Sequence, residues 1–162
     1  MPTRSASSIL TGRLFTTMSN AAKKSTDDLM AELTQKNTDL QDYIDTNTSS
    51  MIEVNLREFW DGLLKKSGKS KSDIINGADI SYIYFYEILQ GKKNPTKDKI
   101  VRLSLAMELT VAECQQALRF CNHAALYPRL KRDSILIYAV ENRLSVYQTQ
   151  TLLRQAGEEE LK

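Results

Sequence analysis

Three residues in the second half of the chain have side chains of the types that bind metal ions: Cys114, Cys121 and His123. The cysteines lie seven residues apart on one face of an expected helix, and the histidine follows two residues later. Structural zinc sites use four ligands at short paired spacings, and this sequence has neither feature. We therefore expect core thiols, a surface histidine and no metal site. Two unpaired cysteines also favour a reducing compartment over a disulfide scaffold.

The motifs of common enzymes are missing from the sequence. It contains no P-loop, no glycine-rich dinucleotide turn and no G-x-S-x-G. A single histidine leaves little for general-base catalysis. The paired carboxylates at 27–28 and 158–160 lie at expected helix ends, where they offset the helix dipole. The sequence thus predicts a protein that is not an enzyme and that uses no cofactor.

Residues 65–99 offer a different chemistry, which is the binding of nucleic acid. Lysine ammonium groups bind phosphate, whereas tyrosine and isoleucine side chains contact base edges. The net charge is only +2, so composition alone does not indicate a nucleic-acid binder, and the distribution of charge is more informative. A tyrosine-rich segment is flanked by two groups of lysines, namely Lys65, Lys66, Lys69 and Lys71 before it and Lys92, Lys93, Lys97 and Lys99 after it.

Two short helices are expected to carry this segment. Ser70 caps a helix over residues 71–78, and Asp79 opens a tight turn, because aspartate tolerates a positive φ. Ser81 then caps a second helix over residues 82–90. The buried side chains of the turn and the second helix are expected to be Ile80, Phe85 and Ile88. Two short helices joined in this way form a helix-turn-helix motif.

The segment from Leu56 to Cys121 resembles a helix-turn-helix domain of the phage-repressor (Xre/Cro) type. The resemblance rests on the block Gly91-Lys-Lys-Asn-Pro95 and on the apolar helix that follows Thr96. Residues 124–129 and the final helices resemble an extended group of such regulators. The resemblance implies an all-α, repressor-like bundle and a DNA-binding transcriptional regulator, bacterial or phage-like and cytoplasmic. It also implies a homodimer that binds two half-sites of double-stranded DNA.

The resemblance further implies that the helix over residues 82–90 enters the major groove. The base-reading positions of the family are occupied here by Tyr82, Ile83 and Glu87, and Tyr86 is expected to face the same way. The sequence departs from the family pattern at Lys71, Ile75 and Leu89, where Gln, Ala and Glu are usual. The expected phosphate contacts are Lys69, Ser70, Lys71, Ser81, Lys92, Lys93 and Lys97.

The same helix supports a second interpretation. Arginine, lysine, asparagine and glutamine are the usual major-groove readers, and none stands at these base-reading positions. Tyr82, Ile83, Tyr84 and Tyr86 instead present aromatic and apolar area of the kind that is common in protein interfaces. The alternative is therefore a protein-interaction module that keeps the repressor fold. Some of these tyrosines could also serve only to cover the adjoining helices.

The chain is expected to divide into four parts. Residues 1–24 contain no acidic residue and are predicted to be a disordered tail rather than an organelle transit peptide. Residues 25–52 form a helical N-terminal arm, with helices capped by Ser25 and Thr38 and a linker over 46–50. The helix-turn-helix domain follows over 53–122. A C-terminal helical hairpin over 123–162 packs on it and frays over 158–160.

The C-terminal hairpin repeats the helices before it. Residues 98–122 match residues 133–157 at an offset of 35, and both copies contain a capping box. The sequence leaves open whether the N-terminal arm or this hairpin forms the dimer surface or binds a protein partner. No apolar run approaches the length of a membrane span.

Overall fold

A computed structural model describes residues 23–53 and 55–162. Over these residues the protein has nine α-helices, one short 3₁₀ helix and no strand, which confirms the predicted all-α class. Residues 1–22, most of the predicted disordered tail, lie outside the described residues. The α-helices are α1 Thr26–Leu33, α2 Leu40–Asn47, α3 Leu56–Ser67, α4 Lys71–Ala78, α5 Tyr82–Leu89, α6 Lys97–Ala106, α7 Val111–Phe120, α8 Lys131–Glu141 and α9 Val146–Gln155.

The chain falls into two compact units, one ending at Ile52 and one running Glu53–Lys162. In the described part of the first unit, α1 begins at Ser25 with a complete capping box, as the sequence predicts. The apolar side chains of α1 and α2 stay largely exposed, because two short helices cannot enclose a core.

Two predictions about the N-terminal arm were wrong. The N-cap of α2 is Asp39, whose carboxylate accepts hydrogen bonds from two backbone amides. The Thr38 hydroxyl donates instead to the carbonyls of Glu32 and Gln35. The predicted linker over residues 46–50 is helical, since it contains the end of α2 and the 3₁₀ helix Thr48–Ser50.

Helix α6 is the centre of the second unit. Its side chains Ile100, Val101 and Leu103 are almost completely buried, and it packs against α4, α7, α8 and α9. Burial of each such aliphatic side chain stabilises the fold by about 1.5–3 kcal/mol. A core built around one helix therefore joins residues of the predicted helix-turn-helix domain and of the C-terminal hairpin.

Helix α3 lies antiparallel to α7. The ring of Phe59 stands edge-on to that of Phe120, with 4.9 Å between the ring centres. Two turns further along α3, Lys66 forms an ion pair with Glu113 at the first turn of α7. The contacts run forward along α3 and backward along α7, so α3 covers one side of α7.

The same connection occurs three times in the second unit. In each case the residue that ends or follows the first helix has a positive φ, and a hydroxyl side chain two residues later caps the second helix. Such short turns fix the angle between the helices they join. The three φ and cap pairs are Asp79 (52°) with Ser81, Glu108 (54°) with Thr110, and Arg143 (52°) with Ser145.

A glutamine side chain closes each of the two repeated hairpins. Gln115 exchanges two hydrogen bonds with the backbone of Leu126, and Gln150 does the same with Leu161. Both leucines are buried. The prediction that the C-terminal end frays was therefore wrong, because the chain after Gly157 turns back and inserts Leu161 into the core.

No helix among the described residues is both long enough and apolar enough to cross a membrane.

Candidate nucleic-acid interface

Helix α4 and the turn after it have the geometry expected from the sequence. The Ser70 hydroxyl accepts a hydrogen bond from the Asp73 amide at 3.1 Å and caps the helix. Ile74 and Ala78 are fully buried. Asp79 takes a left-handed conformation, and its carboxylate lies 3.1 Å from Nη1 of Arg102 on α6. This contact ties the turn to the central helix.

Helix α5 buries one side and exposes the other. Ser81 caps it through the Tyr84 amide, and Phe85 and Ile88 are buried as predicted, whereas Ile80 in the turn is half-buried. The side chains of Tyr82 and Ile83 are 63% and 71% exposed. Two large apolar side chains therefore project into solvent from the first turn of α5.

Two tyrosine rings of α5 lie against each other, and a lysine of α4 lies over one of them. The ring centres of Tyr82 and Tyr86 are 4.4 Å apart, and Nζ of Lys71 lies 5.3 Å from the centre of the Tyr86 ring. Its interaction with the Tyr86 hydroxyl raises the pKa of Tyr82 above the usual value of about 10, at which a tyrosine is already protonated at neutral pH. Tyr82 is consequently a neutral hydrogen-bond donor and acceptor on this surface.

The ammonium group of Lys93 lies near both the Glu87 carboxylate and the Tyr84 ring. Nζ of Lys93 lies 3.8 Å from the Glu87 carboxylate and 5.4 Å from the centre of the Tyr84 ring. Partial burial raises the pKa of Tyr84. The carboxylate of Glu87, a predicted base reader, is thus partly neutralised by a lysine of the same chain.

The lysines predicted to contact phosphate differ in their environments. Lys69 forms an ion pair with Glu108 at 2.5 Å, and Lys97 donates to both carboxylate oxygens of the buried Asp133 at 3.1 Å. Lys71, Lys92 and Lys93 are exposed. Ser70 and Ser81 stand at the first turns of α4 and α5, where both hydroxyls are engaged as caps.

The loop that carries Lys92 and Lys93 is firmly held. The amides of both lysines donate to the Glu87 carbonyl, at 2.9 and 3.2 Å. The Asn94 side chain donates to the Cys121 carbonyl at 2.9 Å, and Nε2 of His123 lies 2.8 Å from the Pro95 carbonyl. His123 is half-buried and structural, so the prediction of a surface histidine was wrong. The sequence placed Asn94 in the block Gly91–Pro95 but did not predict its contact with Cys121.

A groove runs beside α5 along α3. It has a volume of about 280 Å³ and includes Arg57, Lys71 and Gln90, together with the acidic side chains of Glu58 and Asp61. Arg57 is a polar group that the sequence did not place beside α5, whereas Gln90 belongs to the predicted helix over residues 82–90. This groove therefore carries side chains of both signs, with Arg57 and Lys71 opposed by Glu58 and Asp61.

The two cysteines belong to the core. Burial raises the pKa of the Cys114 thiol, and it raises that of Cys121 to about 11. Both thiols are therefore protonated and unreactive at neutral pH. Within the described ranges, no three His, Cys, Asp or Glu side chains come together as metal ligands.

Comparisons of the chain with protein-family models, with curated proteins and with solved structures found no match.

Proposed function

We propose that the protein is a DNA-binding transcriptional regulator that places α5 in the major groove, in a repressor-type arrangement with α4 across the phosphate backbone. The observation that carries the proposal is the exposure of Tyr82 and Ile83 at the first turn of α5. The residues near the start of a recognition helix are those that meet base edges. The other supports are the short turn at Asp79 and the exposed lysines at both ends of α5.

Direct reading of bases would use three kinds of contact. The Ile83 side chain fits the methyl group of a thymine, and the Tyr82 hydroxyl donates to a purine N7 or O6. Glu87 accepts a hydrogen bond from a cytosine N4 once Lys93 turns to a phosphate. A good contact of this kind discriminates against a wrong base by about 1–3 kcal/mol.

Phosphate binding is proposed for a smaller set than the sequence predicted. Lys71, Lys92 and Lys93 are exposed and surround α5, so they are the cations that a phosphate backbone can reach. Lys69 and Lys97 are held by carboxylates of the same chain, and we assign them to the stability of the fold. Each lysine that replaces a counterion contributes about 0.9 to the salt dependence of binding.

The test is fluorescence anisotropy of the purified protein with two labelled duplexes, the DNA upstream of its own gene and a scrambled duplex of equal composition. Measurements at two salt concentrations separate the phosphate contribution from base reading. The proposal expects tighter binding to the upstream duplex and weaker binding to both duplexes at higher salt. Equal, weak binding to the two duplexes that vanishes near physiological salt would contradict it.

A second candidate function is the binding of a protein partner through α5. It is supported by the stacked rings of Tyr82 and Tyr86 beside Ile83, which form an exposed aromatic and apolar surface. This surface lies on the same helix as the proposed base contacts, so the two functions make opposite predictions in the anisotropy experiment. If the protein shows no sequence-specific binding to DNA, α5 becomes the bait in an experiment that captures protein partners.

A further inference from the structure

The outer side of the α8–α9 hairpin carries an open apolar groove. It has a volume of about 570 Å³ and lies between the two helices. Tyr138, in the middle of the groove, is 57% exposed. The groove is lined by Ser134, Ile135, Tyr138, Leu152, Gln155 and Ala156.

The internal repeat allows the groove residues of α8 and α9 to be compared with their counterparts in α6 and α7. Thirty-five residues earlier stand Ile100, Leu103, Ala117 and Cys121, the counterparts of Ile135, Tyr138, Leu152 and Ala156. All four earlier residues are completely or almost completely buried. The two hairpins have the same inter-helix turn, the same capping box at the second helix and the same glutamine contact, although Thr96 caps α6 and no side chain caps α8. The groove is therefore the surface that is covered in the first copy and open in the second.

Helix α3 covers the α7 side of the first copy. Phe59 contacts Phe120, the counterpart of the groove residue Gln155, and the Trp60 indole lies beside the Cys121 thiol. Lys66 pairs with Glu113, the counterpart of Gln148. The cover is thus an amphipathic helix that runs antiparallel to the second helix of the hairpin and contributes adjacent aromatic residues.

Helix α2 has the sequence of such a cover. The segment Leu40-Gln-Asp-Tyr-Ile-Asp45 matches Leu56-Arg-Glu-Phe-Trp-Asp61 at the start of α3, and each follows an Asp or Asn cap. The apolar positions coincide, with Leu40 for Leu56 and Ile44 for Trp60. Leu40 and Ile44 are exposed, so this side of α2 is available to bind another surface.

Charge at the groove suits α2. The helix carries only acidic charged residues, Asp42 and Asp45, and its N-cap Asp39 adds a third carboxylate. At the edge of the groove, the Lys131 ammonium group reaches the Ala156 carbonyl at 2.5 Å. Lys131 is only loosely paired, with Glu158 at 3.8 Å, so it remains able to bind an incoming carboxylate.

We propose that α2 of a second copy of this chain binds in the α8–α9 groove and packs along α9 as α3 packs along α7. Because each chain offers both an α2 and a groove, the contact forms a reciprocal homodimer. The Ile44 side chain takes the place of Trp60, and Leu40 takes that of Leu56. Tyr138 and Leu152 become buried in the contact. The contact is independent of DNA, since it leaves α5 free.

The test is sedimentation equilibrium of the full chain over about 1–100 µM protein, a range in which specific dimers of ordinary affinity dissociate. The wild-type chain is expected to be a dimer at the upper end of the range. Tyr138→Lys in the groove and Ile44→Asp on α2 should each weaken the dimer at least about tenfold, a change of about 1.4 kcal/mol. The matched control is Tyr147→Lys, because Tyr147 is 79% exposed but lies on a different side of α9.

An equimolar mixture of the Tyr138→Lys and Ile44→Asp chains distinguishes the reciprocal contact from other dimers. Each mixed dimer keeps one intact groove and one intact α2, so dimers should reappear at a lower affinity than in the wild type. A mixture that stays monomeric would overturn the proposal, and so would a monomeric wild-type chain at about 100 µM. Circular dichroism and the melting temperature of each variant check that it is folded.

Discussion

The side-chain amide of Gln150 and the backbone of Leu161 exchange two hydrogen bonds. Nε2 of Gln150 donates to the Leu161 carbonyl at 2.8 Å, and the Leu161 amide donates to Oε1 at 2.7 Å. The guanidinium of Arg102 donates to the same carbonyl at 2.6 Å. The last residues of the chain are therefore connected to α9 and to the central helix α6, and they form part of the fold.

Replacement of Gln150 by alanine should lower the free energy of unfolding by about 1–3 kcal/mol, because the Leu161 amide loses its partner inside the core. Urea denaturation followed by circular dichroism measures the change. Tyr147→Ala, at a 79% exposed position of the same helix outside the groove, is the control and should change the free energy by less than about 0.5 kcal/mol. Equal effects of the two substitutions would show that the glutamine contact contributes nothing specific.

Substitutions of Lys97 and Lys71 should distinguish a lysine that stabilises the fold from one that is proposed to bind DNA. Lys97→Met leaves the buried carboxylate of Asp133 without its cation, and we expect a loss of about 1–3 kcal/mol in the free energy of unfolding. Lys71→Met removes an exposed charge and should leave stability within about 0.5 kcal/mol of the wild type. Denaturation and anisotropy are measured on both variants. A Lys97→Met chain of unchanged stability would contradict the structural role.

Glu113 should make stability depend on pH. The hydrogen bond from Lys66, together with the capping contacts of Thr110, holds the pKa of this carboxyl below its usual value. A lowered folded-state pKa means that the carboxylate stabilises the fold above its usual pKa of about 4.3 and loses this effect as the pH falls through the lowered value. Glu113→Gln keeps a capping side chain, as Gln148 does in the second copy, but removes the charge.

At neutral pH, Glu113→Gln should be less stable than the wild type by no more than about 1 kcal/mol, since the Lys66 partner is mostly exposed. The difference should disappear in acid, when the wild-type carboxyl is protonated. Thermal melts of both chains from neutral pH down to about pH 3 record it. A difference that is the same at every pH would mean that shape rather than charge explains the effect of the substitution.

Helix boundaries in the second unit could be predicted because their determinants are local. Ser70, Ser81 and Thr110 cap the helices that follow them, and a cap involves only the next three residues. Asp39 was missed because Thr38 beside it is an equally good cap by residue type. The turn at Asp79 was predicted, but its likeness to the turns at Glu108 and Arg143 was not recognised, because the spacing from Asp79 to Glu108 is 29 residues rather than 35.

The environments of the lysines could not be predicted from the sequence. The partners of Lys69 and Lys97 are 39 and 36 residues away along the chain. Lys69 meets Glu108 because α4 packs against α6, and Lys97 meets Asp133 because α8 packs against α6. The same holds for the open groove on α8–α9. The repeat predicted a second hairpin, but it did not indicate which side of that hairpin lacks a cover.

The most direct test of the proposed function uses variants of the exposed first turn of α5. Ile83→Ala and Tyr82→Ala should reduce the preference for the upstream duplex over the scrambled one by about fivefold or more, without changing the dependence on salt. The combined Lys71, Lys92 and Lys93 alanine variant should weaken binding to both duplexes and reduce the salt slope by about 3. Tyr147→Ala, an exposed tyrosine on α9, is the control. If the α5 variants keep the wild-type preference and the lysine variant keeps the wild-type slope, α5 does not read DNA.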